Sequence, residues 1–116
     1  MTFSRAARGL RAIVLAAIVL GGGGCAPGLP QAGPGDARAA QASFPGTTEA
    51  DLERGRSAYV HRCGGCHRLH RPQELPAARW PAVVSEMTVR AKLSADEVAD
   101  VTRYLVVLSR PARDLN

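Results

Sequence analysis

Two thiols and one imidazole stand within five residues of each other in this chain, at a chemically specific spacing. The segment Cys63-Gly64-Gly65-Cys66-His67 has the pattern C-x-x-C-H, the attachment motif for c-type haem. On a helix, the two cysteines are about one turn apart, so both thiols can reach the vinyl groups on one edge of a porphyrin. His67 follows at once and directs its imidazole at the iron, while the two glycines add no side chains where the ring edge approaches.

Three other interpretations of the two cysteines are open. A redox dithiol usually follows a strand in a thioredoxin-like α/β pattern, which is not visible in this sequence. A structural zinc site needs four ligands, and His61, His70 and Cys25 complete one poorly. A disulfide between Cys63 and Cys66 suits an oxidising compartment. The sequence favours haem because the motif, an export signal and an all-helical pattern agree.

The elements that position the motif are predicted to be short helices. Thr48 and Asp51 form an N-cap pair for a helix that leads into Cys63. A second helix is predicted to start near Pro76 or Pro81, because proline is tolerated in the first helical turn. One face of this second helix is predicted to carry Trp80, Val84, Met87 and Ala91.

The third helix has a start signal, an apolar stripe and an end signal. Ser94 and Glu97 form a capping box, and Pro111 ends the helix. The predicted buried stripe is Val98, Val101, Leu105 and Leu108. The fold class is therefore all-α, a small bundle of three to four helices around one covalently bound haem. A core this thin usually needs an internal staple, and the haem would supply it.

Residues 1–24 are predicted to be a signal peptide. Arg5, Arg8 and Arg11 precede an apolar run from residue 12 to residue 20, and four glycines follow that run. A transmembrane anchor is the alternative, but the run is shorter than the roughly 20 apolar residues that span a bilayer.

Cys25 is predicted to carry a lipid anchor. A cysteine after small residues at the end of an apolar run resembles a bacterial lipoprotein signal, in which that cysteine becomes the lipidated N-terminus. The alternative is ordinary cleavage that removes Cys25 or leaves it free. Residues 25–46 are rich in Gly, Pro and Ala and are predicted to form a flexible, partly extended tether. Residues 47–116 are assigned to the folded domain.

Length, composition and charge exclude several classes of protein. A chain of 116 residues supports one compact domain and excludes a barrel or a doubly wound sheet. Aromatic residues make up only 4% of the chain, too few for a platform that stacks nucleobases. The net charge of +5 comes partly from the three arginines of residues 1–24, where there is no acid. A nucleic-acid partner is not expected, because it requires a persistent basic surface.

The region from residue 49 to residue 109 resembles a small monohaem class I cytochrome c domain. The resemblance rests on Gly55 and Tyr59 before the motif, on the segment Trp80-Pro81-Ala82-Val83-Val84-Ser85-Glu86-Met87, and on Leu93-Ser94 to Tyr104-Leu105. It extends to the small cytochrome subunits of periplasmic dehydrogenases, including sulfite dehydrogenases. It implies that the first and last helices cross at Gly55, which would meet Tyr104 or Leu105.

Met87 is the expected distal iron ligand under this resemblance, opposite His67. It is the only methionine beyond the initiator, and a thioether ligand favours Fe(II) and raises the reduction potential. The alternatives are that Met87 is a core residue, that His61 or His70 completes a bis-histidine site, or that the iron is five-coordinate.

The resemblance also implies groups that surround the haem. A ligating histidine donates its other ring N–H to an acceptor, and in this family that acceptor is a proline carbonyl in the next loop, so Pro72 and Pro76 are both candidates. Trp80 packs on the haem or is a buried structural residue. The arginines near the motif either pair with propionates, offer a positive rim to an acidic partner, or are solvated: Arg62, Arg68, Arg71 and Arg79.

The predicted function is single-electron transfer on the periplasmic side of a bacterial membrane. A six-coordinate iron leaves no site for a substrate, so the chain is expected to be an electron carrier or a cytochrome subunit rather than an enzyme. Its expected partners are a dehydrogenase, another cytochrome or an oxidase, met through a small, weak interface. The alternatives are a five-coordinate gas sensor or peroxidase, a haem-free thiol–disulfide protein, and a purely structural lipoprotein.

Overall fold

The computed structural model describes residues 28–111, and within that range all regular structure is helical. The helices are α1 (Pro34–Ala40), α2 (Glu49–Cys63), α3 (Trp80–Met87) and α4 (Ala95–Leu108), with two short 3-10 turns at Pro72–Glu74 and Ala77–Arg79. This confirms the predicted all-α bundle. The signal peptide and Cys25 lie outside the described residues. None of the helices in residues 28–111 is both long and apolar enough to cross a membrane.

Helices α2 and α4 begin at the predicted caps. The Thr48 hydroxyl accepts a hydrogen bond from the Asp51 backbone N–H at 3.2 Å, and the Asp51 carboxylate accepts one in return from the Thr48 N–H at 2.7 Å. Ser94 and Glu97 make the same reciprocal pair at 3.2 and 2.9 Å. Each pair satisfies backbone donors that have no partner within the helix, which fixes where both helices start.

Helices α2 and α4 cross at Gly55, as the resemblance implied. A β-carbon added at Gly55 would stand 2.1 Å from the Asp100 carbonyl oxygen and 2.8 Å from Tyr104 Cβ. Only a residue without a side chain allows the two backbones to come this close. On either side of the crossing, Leu52 and Leu105 are fully buried.

Helix α3 covers one side of this pair. Trp80 at its first turn is 1% exposed, and Val84 one turn later is 4% exposed. The Trp80 indole N–H donates to the Pro72 carbonyl at 2.9 Å, which ties α3 to the loop that follows the C-x-x-C-H motif. The helix ends at Met87, so Ala91 lies in the turn beyond it and not on the helix face where it was predicted.

The buried stripe of α4 is wider than the sequence predicted. Val98 is only half-buried, whereas the buried residues are Val101, Tyr104, Leu105, Val107 and Leu108. Tyr104 and Val107 become buried because both α2 and the segment before it pack on α4.

The prediction of a flexible tether before α2 is wrong for the part of it that the structure describes. Residues 28–46 fold against the bundle and include helix α1, whose first turn is capped by the Asp36 carboxylate accepting from the Gly33 N–H at 2.8 Å. Leu29 and Ala40 are buried in the common core. The Tyr104 hydroxyl donates to the Pro30 carbonyl at 2.8 Å. The sequence reasoning weighed the glycines and prolines and passed over the apolar residues between them.

Candidate functional site

The C-x-x-C-H motif opens onto an apolar cleft between α2, α3 and α4. A cavity of about 140 Å³ lies between these helices. The candidate haem-binding side chains on its wall are Cys63, His67, Trp80 and Met87. The rest of the wall is formed by Tyr59, His70, Val83, Val84, Leu93, Val101 and Leu105. Residues that are 20 positions apart in sequence, His67 and Met87, therefore face one space.

A second cavity of about 140 Å³ continues this cleft toward the surface. It shares Cys63, His67 and Met87 with the inner cavity, and Cys66 completes the thiol pair on its wall. Arg62, Arg90 and Ala91 form its rim. The cleft thus has an apolar inner end and an outer end lined by both cysteines and by two arginines.

The donor atoms in the cleft fit a c-type haem. Two thiols can form the covalent links, and an imidazole and a thioether are the usual axial ligands of an electron-transfer cytochrome c. Both Cys63 and Cys66 are free thiols, Cys63 half-buried and Cys66 exposed. Burial raises the pKa of the Cys63 thiol, and the neighbouring Cys66 raises it further.

His67 is held in the tautomer that a haem ligand needs. Its Nδ1 lies 2.7 Å from the Arg68 carbonyl oxygen, and because a carbonyl only accepts, Nδ1 carries the proton. Nε2 is then the unprotonated nitrogen and is available to a metal.

The acceptor for His67 differs from the one that the resemblance implied. The Pro72 carbonyl accepts from the Trp80 indole, and the Pro76 carbonyl accepts from the Arg79 backbone N–H at 2.9 Å. The contact found at the His67 ring is the one to the Arg68 carbonyl, at 2.7 Å. Trp80 is buried, as one of its alternatives predicted, and it also forms part of the cleft wall, while its packing on a haem stays a prediction.

The structure separates the two alternative histidine ligands. His61 lies on the exposed side of α2, where its Nδ1 bonds the Ser57 carbonyl at 2.7 Å, and it is not on the cleft wall. His70 does line the inner cavity, and its ring centroid is 6.2 Å from that of His67. Of the two, only His70 is placed near the candidate iron site.

The arginines around the motif have different surroundings. Arg62 is bonded to Glu97 at 2.8 Å, which links the end of α2 to the start of α4. Arg68 is bonded to Glu74 at 3.0 Å. Arg71 and Arg79 are exposed. Arg90, which sequence reasoning did not single out, stands at the mouth of the cleft with Arg62.

Glu74 is a second residue that sequence reasoning missed. Its carboxylate accepts hydrogen bonds from the Arg68 and His70 side chains and from the Arg71 backbone N–H. These donors, led by Arg68, lower the pKa of Glu74 to about 2. Its spacing of four residues from His70 and three from Arg71 is the sequence signal that could have revealed it.

A larger cavity of about 350 Å³ lies on the other side of the motif. Gly28 and Leu29 from the N-terminal segment face Gly64 and Leu69 across it. Of the candidate haem-binding residues, only His67 reaches this space. The smaller cleft is the candidate site because, within residues 28–111, both thiols, the imidazole and the thioether line it together.

Comparison with known proteins supports a c-type cytochrome. Residues 59–115, just under half of the chain, match the family model of dihaem cytochrome c. The matched stretch contains the C-x-x-C-H motif, the loop, α3 and α4. The match supports haem c as the cofactor and electron transfer as the role. It differs from the expected monohaem family, because the matching family is described as dihaem. No curated protein and no solved structure matches the chain.

Proposed function

We propose that this chain is a monohaem electron carrier whose haem is bound covalently by Cys63 and Cys66. His67 is the proximal ligand and Met87 the distal ligand in this proposal. The observation that carries it is the cleft itself, because one apolar space is lined by these four side chains. When bound, the haem iron supplies one-electron chemistry between its ferric and ferrous states.

The chain's own residues would set the properties of that iron. Arg68 holds the protonated Nδ1 of His67, which leaves Nε2 for the metal. The Met87 thioether is a soft ligand that raises the potential. Trp80 and Leu105 are each 1% exposed and give the inner end of the cleft an apolar wall. If His67 and Met87 both hold the iron, no position would be left there for a substrate, which is why we propose electron transfer.

We assign one haem to the chain although the matching family is described as dihaem. Covalent attachment needs a C-x-x-C-H motif, and the three cysteines of this sequence, Cys25, Cys63 and Cys66, form only one. The stretch that matches the family includes this single motif.

We also propose that the protein is exported and anchored on the periplasmic side of a bacterial membrane by a lipid on Cys25. The arginine-rich start, the short apolar run and the glycines before Cys25 support this assignment. The electron partner is a dehydrogenase or another respiratory protein with an acidic docking face. Arg90 at the mouth of the cleft supports that choice, because it places positive charge beside the proposed haem site, whereas the charge of Arg62 there is paired with Glu97.

Haem content tests the proposal directly. The protein is exported from cells that contain the cytochrome c maturation system, and its covalent haem is measured by pyridine haemochrome and by intact mass. We expect one haem per chain, and none attached covalently when both Cys63 and Cys66 are replaced by serine. Cys25→Ser is the matched control and should keep its haem. Colourless wild-type protein, or two haems per chain, would contradict the assignment.

The distal ligand needs a separate test. Met87→Ala should abolish the weak far-red charge-transfer band of the ferric protein and lower its reduction potential, because a thioether ligand is lost. Val83→Ala, which shortens another side chain on the same wall, is the control and should keep the band. An unchanged ferric spectrum in Met87→Ala would eliminate Met87 as the ligand. Rapid CO binding by the wild-type ferrous protein would indicate a five-coordinate sensor or peroxidase instead.

A further inference from the structure

Two imidazoles, three residues apart, compete for the same region of the cleft. His67 and His70 both line the inner cavity, and their ring centroids are 6.2 Å apart. Either nitrogen heterocycle can bind haem iron. The place of His67 beside Cys66 favours it as the ligand, and a contact that turns the His70 ring in another direction would keep His70 from binding the iron instead.

The backbone of His70 is fixed at the wall of the cleft. The buried Tyr59 hydroxyl donates to the His70 carbonyl at 3.0 Å and accepts from the His70 N–H at 3.1 Å. These two bonds keep the residue at the cavity and leave only its side chain free to rotate. The direction of the ring is then decided by what its nitrogens contact.

The contact that decides it is the carboxylate of Glu74. Glu74 Oε2 lies 2.8 Å from His70 Nδ1. Its Oε1 accepts from Arg68 Nη1 at 3.0 Å and from the Arg71 N–H at 3.1 Å. One carboxylate thus holds the rival ring and, at the same time, the loop residue whose carbonyl fixes the tautomer of His67.

We propose that Glu74 is a positioning residue that selects His67 over His70 as the iron ligand. The inference rests on the haem site proposed above. Without the carboxylate, the His70 ring rotates about χ1 and χ2 toward the cleft, and the Arg68 side chain loses its anchor. Because His70 is half-exposed, the loss of its charge-assisted hydrogen bond should change the ratio of the two ring arrangements by about tenfold.

Electron paramagnetic resonance of the ferric holoprotein tests the proposal. The wild type should give one low-spin signal, and Glu74→Ala should give a second signal from iron that has bound His70. The double variant Glu74→Ala/His70→Ala should return to a single signal. Glu74→Gln, which keeps an acceptor oxygen, should show less of the second signal than Glu74→Ala. Glu53→Ala is the matched control, since Glu53 bonds Arg56 at 3.0 Å on α2 and is not on the cleft wall.

The outcomes separate this inference from the proposed function. A single unchanged signal in Glu74→Ala, or a second signal that survives the removal of His70, would overturn the role of Glu74 while the haem site stands. If Glu74→Ala does not fold, the inference depends on Glu74→Gln, and a single unchanged signal in that variant would overturn it. Wild-type protein without haem would overturn both the inference and the proposed function.

Discussion

The crossing of α2 and α4 and the loop that follows the C-x-x-C-H motif are held by different forces. At the crossing, backbone meets backbone at Gly55, and the neighbouring side chains Leu52, Tyr104 and Leu105 are at most 1% exposed. In the motif loop, defined here as residues 64–75, most side chains are exposed and the stabilising contacts are hydrogen bonds and ion pairs around Glu74.

The two regions differ in how much their contacts contribute to the stability of the fold. The crossing excludes water, so burial of apolar surface stabilises it at about 25 cal/mol per Å². Exposed ion pairs contribute little, typically less than about 1 kcal/mol each. The motif loop therefore depends on its hydrogen bonds to the helices, through Tyr59 on α2 and Trp80 on α3. A scaffold that is stabilised by burial can thus carry a loop that is held mainly by hydrogen bonds and ion pairs at the surface.

The largest expected effect comes from closing the space at the crossing. Gly55→Val should destabilise the protein by at least about 3 kcal/mol, because its β-carbon would overlap the Asp100 carbonyl and force the helices apart. Urea denaturation followed by far-UV circular dichroism measures this loss. Gly65→Ala in the motif loop is the control, since an added β-carbon there meets nothing within 4 Å. If Gly55→Val and Gly65→Ala lowered the unfolding free energy equally, the crossing would not be more tightly packed than the motif loop.

The next effect concerns the contact that ties the loop to the bundle. Trp80→Phe should cost about 1–3 kcal/mol, because the Pro72 carbonyl loses its donor in a buried position and the smaller ring fills less space. The same denaturation measurement detects it. Val89→Ala, at a side chain that is 85% exposed, should change the unfolding free energy by less than about 0.5 kcal/mol. If Trp80→Phe changed the unfolding free energy as little as Val89→Ala, the loop would not depend on the hydrogen bond between Trp80 and Pro72.

A smaller effect is expected where the N-terminal segment joins the crossing. Tyr104→Phe removes the hydrogen bond to the Pro30 carbonyl and should cost about 1 kcal/mol. Hydrogen exchange should quicken in residues 28–46 more than in α2, because the lost bond holds only that segment. Tyr59→Phe, whose hydroxyl bonds His70, is the matched variant and should loosen the motif loop instead. Identical exchange patterns in the two variants would show that segment and loop are not independent.

The smallest expected effect is on acid stability, since the carboxylates concerned are at the surface. In the folded protein, the pKa of Asp51 at the start of α2 is lowered to about 2, first by hydrogen bonding to Thr48, and that of Glu74 is lowered to about 2, first by Arg68. Both values lie below the ordinary 3.8 and 4.5. Each contribution is therefore complete above the ordinary pKa and disappears as the pH falls toward about 2.

Denaturation at several pH values checks this sign. The difference in unfolding free energy between the wild type and Glu74→Gln should shrink as the pH falls from about 4.5 to about 2. Asp51→Asn should behave in the same way over a slightly narrower range. A difference that grew on acidification would contradict the stabilising role of these carboxylates.

Much of the scaffold could be predicted from local sequence signals. The caps at Thr48 and Ser94 were predicted because a capping box is complete within four residues. The Gly55 crossing followed from the family resemblance and is confirmed. The N-terminal segment was predicted wrongly, because a stretch rich in Gly and Pro was treated as a tether although Leu29 and Ala40 find buried places on distant helices.

The sequence by itself determined the haem motif and the helices that carry it, because both depend on residues only a few positions apart in the chain. Only the tertiary structure decided which residues share the cleft with that motif. It brought Met87 and His70 to the cleft wall, left His61 outside, and gave His67 the Arg68 carbonyl in place of a proline. The physical reason is that the cleft is made by three helices at once, and no local pattern records which faces of separate helices come together.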